Sequence, residues 1–224
     1  MNFKGNFNHL AKVDVSHLIN MVNHLTEKHW SLDSTRQKRY EVHTHTQTIN
    51  IVFDEDFRHM NPSKHPALDV FGPVIQPIMS FIANHYENLV ENKPYLEQYG
   101  QGYFIRINLV KLLAHNNIAE HQDKNFSLAH SHRIHIPIVT NDKVFFNVGD
   151  ESINMKVGEI IEINNRRFHS VDNQSDEDRV HLIIDFVIPG EPCCCAEIHH
   201  PGVMCNPELC MPTDRLVTPC HCLD

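Results

Sequence analysis

Seven short runs rich in strand-forming residues crowd into positions 102–188, turn-type residues separate them, and two segments of helical period precede them. These observations predict a mainly β fold rather than an alternating α/β one: a cupin-like double-stranded β-helix (jelly roll) with flanking N-terminal helices. A chain of 224 residues and 26.0 kDa suits one such domain with attachments. The expected boundaries are 1–98 for a helical and strand segment supporting the barrel, 99–190 for the barrel, and 191–224 for a Cys/Pro-rich tail.

The elements follow in order. Val15, Leu18, Ile19, Val22 and Leu25 recur at three- and four-residue intervals, the spacing of one helical face, and predict an amphipathic helix within 13–28. Over 42–53, Val42, Thr44, Thr46 and Thr48 take one side. Ile49, Ile51 and Phe53 follow after a phase change, which reads as a strand with a bulge that pairs with the main sheet. Ile75, Ile78, Met79, Ile82, Tyr86 and Leu89 again share a helical face. Pro73 and Pro77 restrict where that helix can begin, so it is predicted over 74–91, buttressing one sheet. The β-type runs are 102–113, 128–139, 144–148, 153–157, 159–163, 168–173 and 179–188.

Composition excludes several function classes. Hydrophobic residues make up 41% and charged residues 21%, so the bulk of the chain should fold. A net charge of −9 and a pI near 6.1, without any basic stripe, argue against nucleic acid as a partner. No run of about 18 apolar residues and no basic, apolar leader is present, so no membrane partner and a cytoplasmic location are expected. All seven cysteines lie from Cys193 to Cys222, beside His199, His200 and His221. Their spacing lacks paired Cys-x-x-Cys knuckles. The tail is therefore either a zinc-binding module or a set of free thiols on a proline-broken segment. Most of the 19 histidines, such as His9, His17, His24 and His29, suit solvent.

Chemistry concentrates in His121-Gln122-Asp123 and His169. On a strand, residues i and i+2 point the same way, so His121 and Asp123 can reach one point while Gln122 turns aside. A bare His-x-Asp is common by chance. A turn and strand over 158–165 then deliver His169, and a small barrel can bring that residue opposite the first pair. Two imidazoles and a carboxylate hold one face of an octahedral iron(II) ion and leave the other positions open. His121, Asp123 and His169 are the predicted metal and catalytic residues.

In 179–186, alternation puts Arg179, His181, Ile183 and Asp185 on one face and Val180, Leu182, Ile184 and Phe186 on the other. An Arg inside a barrel is costly without a partner, and a planar guanidinium grips a carboxylate through two parallel bonds, so an incoming dicarboxylate explains Arg179. The competing explanation is a surface salt bridge to Asp185 or Glu162. Arg133 and His135 repeat the pattern and can add contacts for the same acid or for a substrate carboxylate. His130, His132 and His135 as a separate metal cluster would leave Arg133 and Asp123 unexplained. Arg166 and Arg167, just before His169, are either a solvated turn or a contact for an acidic group.

Over residues 117–190 the chain resembles the aspartyl/asparaginyl β-hydroxylase family of iron(II)- and 2-oxoglutarate-dependent oxygenases, which includes free-proline hydroxylases. The resemblance rests on Arg133-Ile134-His135-Ile136-Pro137, Val157-Gly158-Glu159, Phe168-His169-Ser170-Val171-Asp172-Asn173 and Arg179-Val180-His181-Leu182-Ile183-Ile184-Asp185. It implies that His121 and His169 bind iron, that Arg179 holds 2-oxoglutarate, and that Arg133 and His135 lie near the co-substrate. One branch replaces the carboxylate ligand by glycine. Asp123 is kept here, as in the proline-hydroxylase branch. The hydroxyl-bearing residue that helps hold the co-substrate in the β-hydroxylase branch has no counterpart on the strand around Val110.

The resulting expectation is a dioxygenase that hydroxylates an amino acid, either free and proline-like or as an Asp, Asn or Pro side chain in a polypeptide. Its rivals are a non-oxidative metal-binding cupin and a protein that acts through its Cys-rich tail. The sequence fixes no oligomeric state.

Overall fold

The computed structural model describes residues 3, 5–33, 43–55, 62–123, 126–129 and 131–191. The described strands are β1 (Phe7–Lys12), β2 (Thr46–Asp54), β3 (Pro62–Lys64), β4 (Tyr103–Leu112), β5 (Asn116–His121), β6 (His132–Val139), β7 (Val144–Val148), β8 (Glu151–Ile153), β9 (Glu159–Ile163), β10 (His169–Asn173) and β11 (Arg179–Val187). They form a seven-stranded sheet in the order β1-β9-β6-β11-β4-β2-β3 and a four-stranded sheet in the order β5-β10-β7-β8. Every pairing is antiparallel. This is the predicted double-stranded β-helix.

Strand β11 shows why the layers form. All nine of its residues are buried, so the sheet is covered on both faces. Val180, Leu182, Ile184 and Phe186 join Ile107, Leu109, Ile134 and Ile136 in a core beneath the helices. The other face turns toward the small sheet, where Leu112, Ile161 and Ile163 pack with Ile118, Val144, Phe146, Val148 and Val171. Arg179, His181, Ile183 and Asp185 lie on this second face, because side chains alternate along a strand.

The helices are α1 (Ser16–Asn23), α2 (Glu27–Trp30), α3 (Ala67–Glu87), α4 (Lys93–Tyr99) and α5 (Phe126–Ala129). The single helix expected within 13–28 is two, because Thr26 caps a new one: its backbone N–H donates to His29 Nδ1, and its hydroxyl pairs with the same nitrogen. Helix α3 starts at Ala67, not at residue 74, with Pro73 and Pro77 inside it. Those prolines leave the carbonyls of Asp69 and Pro73 without an intrahelical donor, and both residues are exposed, so water replaces the lost bonds. The opposite face buries Phe71, Ile75, Ile78, Ile82 and Tyr86. Each contributes about 1.5–3 kcal/mol, which outweighs the prolines. Truncating the fully buried Ile82 to Ala is expected to cost about 2–5 kcal/mol. By length and composition α3 could also cross a bilayer, but here this face lies on the large sheet.

Residues before position 99 do more than support the barrel, since β1, β2 and β3 extend its large sheet at both edges. The phase change in β2 is real, with a register shift between Asn50 and Val52. The run predicted over 128–139 begins as α5 and becomes strand only at His132, and β5 is an additional strand. The Cys-rich tail proposed for zinc lies outside the described residues, as do His130 and Val42.

Candidate active site

Strands β5 and β10 run side by side with His121 directly opposite His169, and the two ring centroids are 4.3 Å apart. His121 is the last residue of β5, so Asp123 lies beyond the strand rather than on its pleat. It is placed instead by the turn that follows β9: the Asp123 amide donates to the Asn165 carbonyl at 3.3 Å, and Gln122 Nε2 donates to the Arg166 carbonyl at 3.0 Å. The outcome is the predicted convergence. One ligand atom from each of His121, Asp123 and His169 lies within 4.8 Å of the others.

The donor set fits a divalent metal. Nδ1 of His121 lies 2.7 Å from the Ala119 carbonyl, and Nδ1 of His169 lies 3.0 Å from the Arg167 carbonyl. A carbonyl only accepts, so both protons sit on Nδ1 and both Nε2 atoms keep a lone pair, the tautomer a metal requires. His169 Nε2 faces Asp123 Oδ2 at 3.8 Å. Burial lowers the His169 pKa, which favours the neutral, ligating form. Burial opposes a charge on Asp123, yet Arg133 and the two histidines outweigh it and hold the carboxyl well below the usual range.

Arg133 is committed more closely to this centre than its sequence pattern suggested. Its Nη1 donates to Asp123 Oδ2 at 2.8 Å, while Nε and Nη2 donate to the two oxygens of Asp185, each at 2.8 Å. Three of its five N–H donors are therefore engaged with carboxylates. Asp185 also pairs in register with Arg106, which is bonded to the fully buried Asp54, and Ser127 donates to the same Asp54. Three aspartates and two arginines thus alternate through the interior, with the excess negative charge one that a bound cation would neutralise.

Arg179 is 1% exposed and makes neither of the salt bridges weighed from sequence: Asp185 is held by Arg133, and Glu162 is within 2.6 Å of His132. Arg179 Nη2 donates instead to His181 Nδ1 at 2.6 Å, and His135 Nδ1 lies 3.4 Å from the same atom. Burial holds both His135 and His181 well below the ordinary imidazole pKa, and Arg179 adds to the effect. His135 shares a face of β6 with Arg133, two residues before it. The structure thus places Asp123, Arg133, His135, His169 and Arg179 in the barrel interior, with His121 half-buried and His181 as an added buried member.

Other residues had no signal in the sequence. Phe146 packs between His135 and His169, at 4.9 and 6.5 Å between ring centroids, and His43 meets the His121 ring edge-on at 5.7 Å. Both come from distant strands or turns that only the fold brings near. Arg167 donates to Asn6 at 2.8 Å and Arg166 is 5% exposed, so this pair is not a solvated turn.

A double-stranded β-helix holding two imidazoles and one carboxylate around one point defines the facial-triad class of metal site. Residues 83–189 match the family model described as Aspartyl/Asparaginyl beta-hydroxylase. Among curated proteins none matches the chain. Among solved structures it is similar to a viral collagen prolyl hydroxylase from Paramecium Bursaria Chlorella virus-1 in complex with 2-oxoglutarate, at 9% identity and a TM-score of 0.50 over 81% of this chain and 96% of that one. It is also similar to an oxidoreductase of the 2OG-Fe(II) oxygenase family from Burkholderia pseudomallei, at 15% identity and a TM-score of 0.47 over 77% and 78% of the two chains. The likeness to the viral enzyme establishes the fold.

Proposed function

We propose that this protein is an iron(II)- and 2-oxoglutarate-dependent dioxygenase that hydroxylates an amino acid, either free and proline-like or as an Asp, Asn or Pro side chain of a polypeptide. The observation that carries this reading is the convergence of His121, Asp123 and His169, with Arg179 buried on the face of β11 that turns toward the same interior. Iron held by those three residues would supply the redox chemistry that couples decarboxylation of 2-oxoglutarate to succinate with insertion of one oxygen atom into the substrate.

The protein's own groups bind, orient and shield. The carbonyls of Ala119 and Arg167 fix the two imidazole rings, and Arg133, braced by Asp185, fixes the carboxylate. Arg179 takes the distal carboxylate of the 2-oxo acid through its planar fork. His135 borders the same acid and stays neutral, so Arg179 keeps its charge advantage. Phe146 closes the wall between His135 and His169 and excludes water from it.

The test is to incubate the full chain with iron(II), 2-oxoglutarate and oxygen against a panel of amino acids and peptides. Succinate should form, and one compound should gain the mass of one oxygen atom. His121→Ala and Asp123→Ala should abolish both. Tight metal binding with no oxygen uptake on any substrate would overturn the oxidative reading in favour of a non-oxidative cupin.

A further inference from the structure

Asp54 ends β2 and is fully buried. Both of its carboxylate oxygens are engaged: Oδ1 accepts from Arg106 Nε, and Oδ2 accepts from the hydroxyl of Ser127, which is itself fully buried in α5. A buried ion pair of this kind contributes little stability that apolar side chains of the same volume would not supply. What it supplies is the placement of the two groups it holds. Ser127 is four positions beyond Asp123, and Arg106 lies opposite Asp185 in the β4–β11 register, so each of them leads to the same metal ligand.

The first route is the chain itself. Asn165 holds Asp123 and Leu128 together, its carbonyl accepting the Asp123 amide at 3.3 Å and its Nδ2 donating to the Leu128 carbonyl at 2.7 Å. Asn165 follows β9 whereas Asp54 ends β2, and β6, β11 and β4 lie between those two strands. Asp123, Ser127 and Leu128 are thereby tied to both sides of the large sheet, and the Ser127 bond is the tie on the β2 side. The second route runs through side chains. Residues opposite one another in an antiparallel pair share a face, so Arg106 joins Asp185 on the inner face. Asp185 holds Arg133 through two bonds of 2.8 Å, and Arg133 holds Asp123 Oδ2 at 2.8 Å. The two routes part at Asp54 and meet again at Asp123. Each imidazole of the triad is fixed by a carbonyl two residues before it, whereas Asp123 lies beyond the end of β5 and takes its place from partners on other elements.

We propose that Asp54 is a positioning residue for the metal ligand Asp123, acting through Ser127 on one side and through Arg106, Asp185 and Arg133 on the other. This rests on the reading of His121, Asp123 and His169 as a metal site, and adds to it a residue of β2, which precedes the stretch that matches the family model. Removing an outer partner that orients a metal ligand alters metal affinity by about 10–100-fold. That is the effect expected of Asp54 and Ser127.

The experiment titrates Mn²⁺ into the full chain, wild type and variants, and follows free and bound ion by electron paramagnetic resonance. Mn²⁺ suits oxygen ligands, whereas thiolates such as those of the Cys-rich tail select softer ions. Ser127→Ala and Asp54→Asn should each weaken binding by about 10–100-fold and change the spectrum of the bound ion, which reports its ligand geometry. The double variant should bind no more weakly than the weaker single one, because both changes break the same contact. Ile82→Ala, a core truncation in α3, should lose stability yet keep wild-type affinity and spectrum, which separates positioning from a general loss of structure. Should Asp54→Asn fail to fold because Arg106 is left uncompensated, Ser127→Ala decides the matter alone. Wild-type affinity and spectrum in Ser127→Ala would overturn this inference and leave the metal site standing. A wild-type chain that binds no Mn²⁺, or an Asp123→Ala variant that binds it equally well, would overturn both.

Discussion

Arg133 Nη1 donates to Asp123 Oδ2 at 2.8 Å, and both residues are almost fully buried. The same guanidinium holds Asp185 through two further bonds, so a candidate metal ligand is tied to a charge pair that spans two strands. Breaking a buried pair by removing one partner costs about 3–5 kcal/mol, because the other charge is left uncompensated. Arg133→Met should therefore destabilise the metal-free protein by an amount of that order. Saturating Zn²⁺ or Mn²⁺ should recover part of the loss by neutralising Asp123. Urea denaturation with and without the metal checks this, and an equal loss in both conditions would detach Asp123 from the ion.

Arg179 should act on co-substrate binding rather than on the chemical step. It is buried at the start of β11, a different strand from those that carry the triad, and suits a group that grips the ground state and the transition state alike, whose removal raises KM and leaves kcat unchanged. Arg179→Leu should raise the KM for 2-oxoglutarate by roughly a hundredfold, as expected for a charge-assisted bidentate contact, while turnover at saturation stays near wild type. Succinate formation measured against 2-oxoglutarate concentration gives both numbers. A fall in kcat at unchanged KM would place Arg179 elsewhere in the mechanism.

Periodicity made the barrel legible and pairing did not. Residues 144–148 and 159–163 are strands over the predicted span, and β11 sorts its polar and apolar residues onto opposite faces as alternation required. Strand β1 escaped because Phe7–Lys12 has no bounded β-type run and gains its ladder only from β9, with Phe7 opposite Ile163. The start of α3 is not legible because proline argues locally against a helix, whereas the buried face that offsets it exists only once the helix packs on the sheet. Arg133 is the instructive case at the site: its place on β6 was readable, but its partner Asp185 is fixed by the β6–β11 register, which a single sequence does not display.

Gly158 has a physical reason for its place in the Val157-Gly158-Glu159 turn. Its φ is +78°, and a Cβ there would lie 2.3 Å from the Val13 carbonyl oxygen. The Val13 amide also donates to the Gly158 carbonyl at 2.8 Å, and Gly158 donates to Pro137 at 3.0 Å. Gly158→Ala must adopt a left-handed backbone and push residue 13 aside, and strain of this kind costs about 1–3 kcal/mol. The thermal midpoint should drop by roughly 2–12 °C for a chain of this size. An unchanged midpoint would show that the β8–β9 turn and the segment after β1 give way freely.

Acid should unfold the metal-free protein earlier than its carboxylates require. His135 and His181 are held well below their ordinary pKa, first by burial and then by Arg179. Above about pH 6.5, the unfolded value, both states carry neutral imidazoles and stability is fully present. As pH falls below it, the unfolded chain takes up protons that the folded chain refuses, so stability is lost at up to about 1.4 kcal/mol per pH unit for each histidine. Asp123, held low by Arg133, contributes a loss of the same sign, but only near and below its unfolded value of about 3.9. The interval between about pH 6.5 and pH 5 therefore belongs to the imidazoles. Urea midpoints measured across it should fall steadily, and His181→Leu should reduce the slope by about one proton's worth. A flat wild-type profile over that interval would mean that His135 and His181 ionise without resistance, which their burial, the contact of His181 with Arg179 and that of His135 with His181 do not allow.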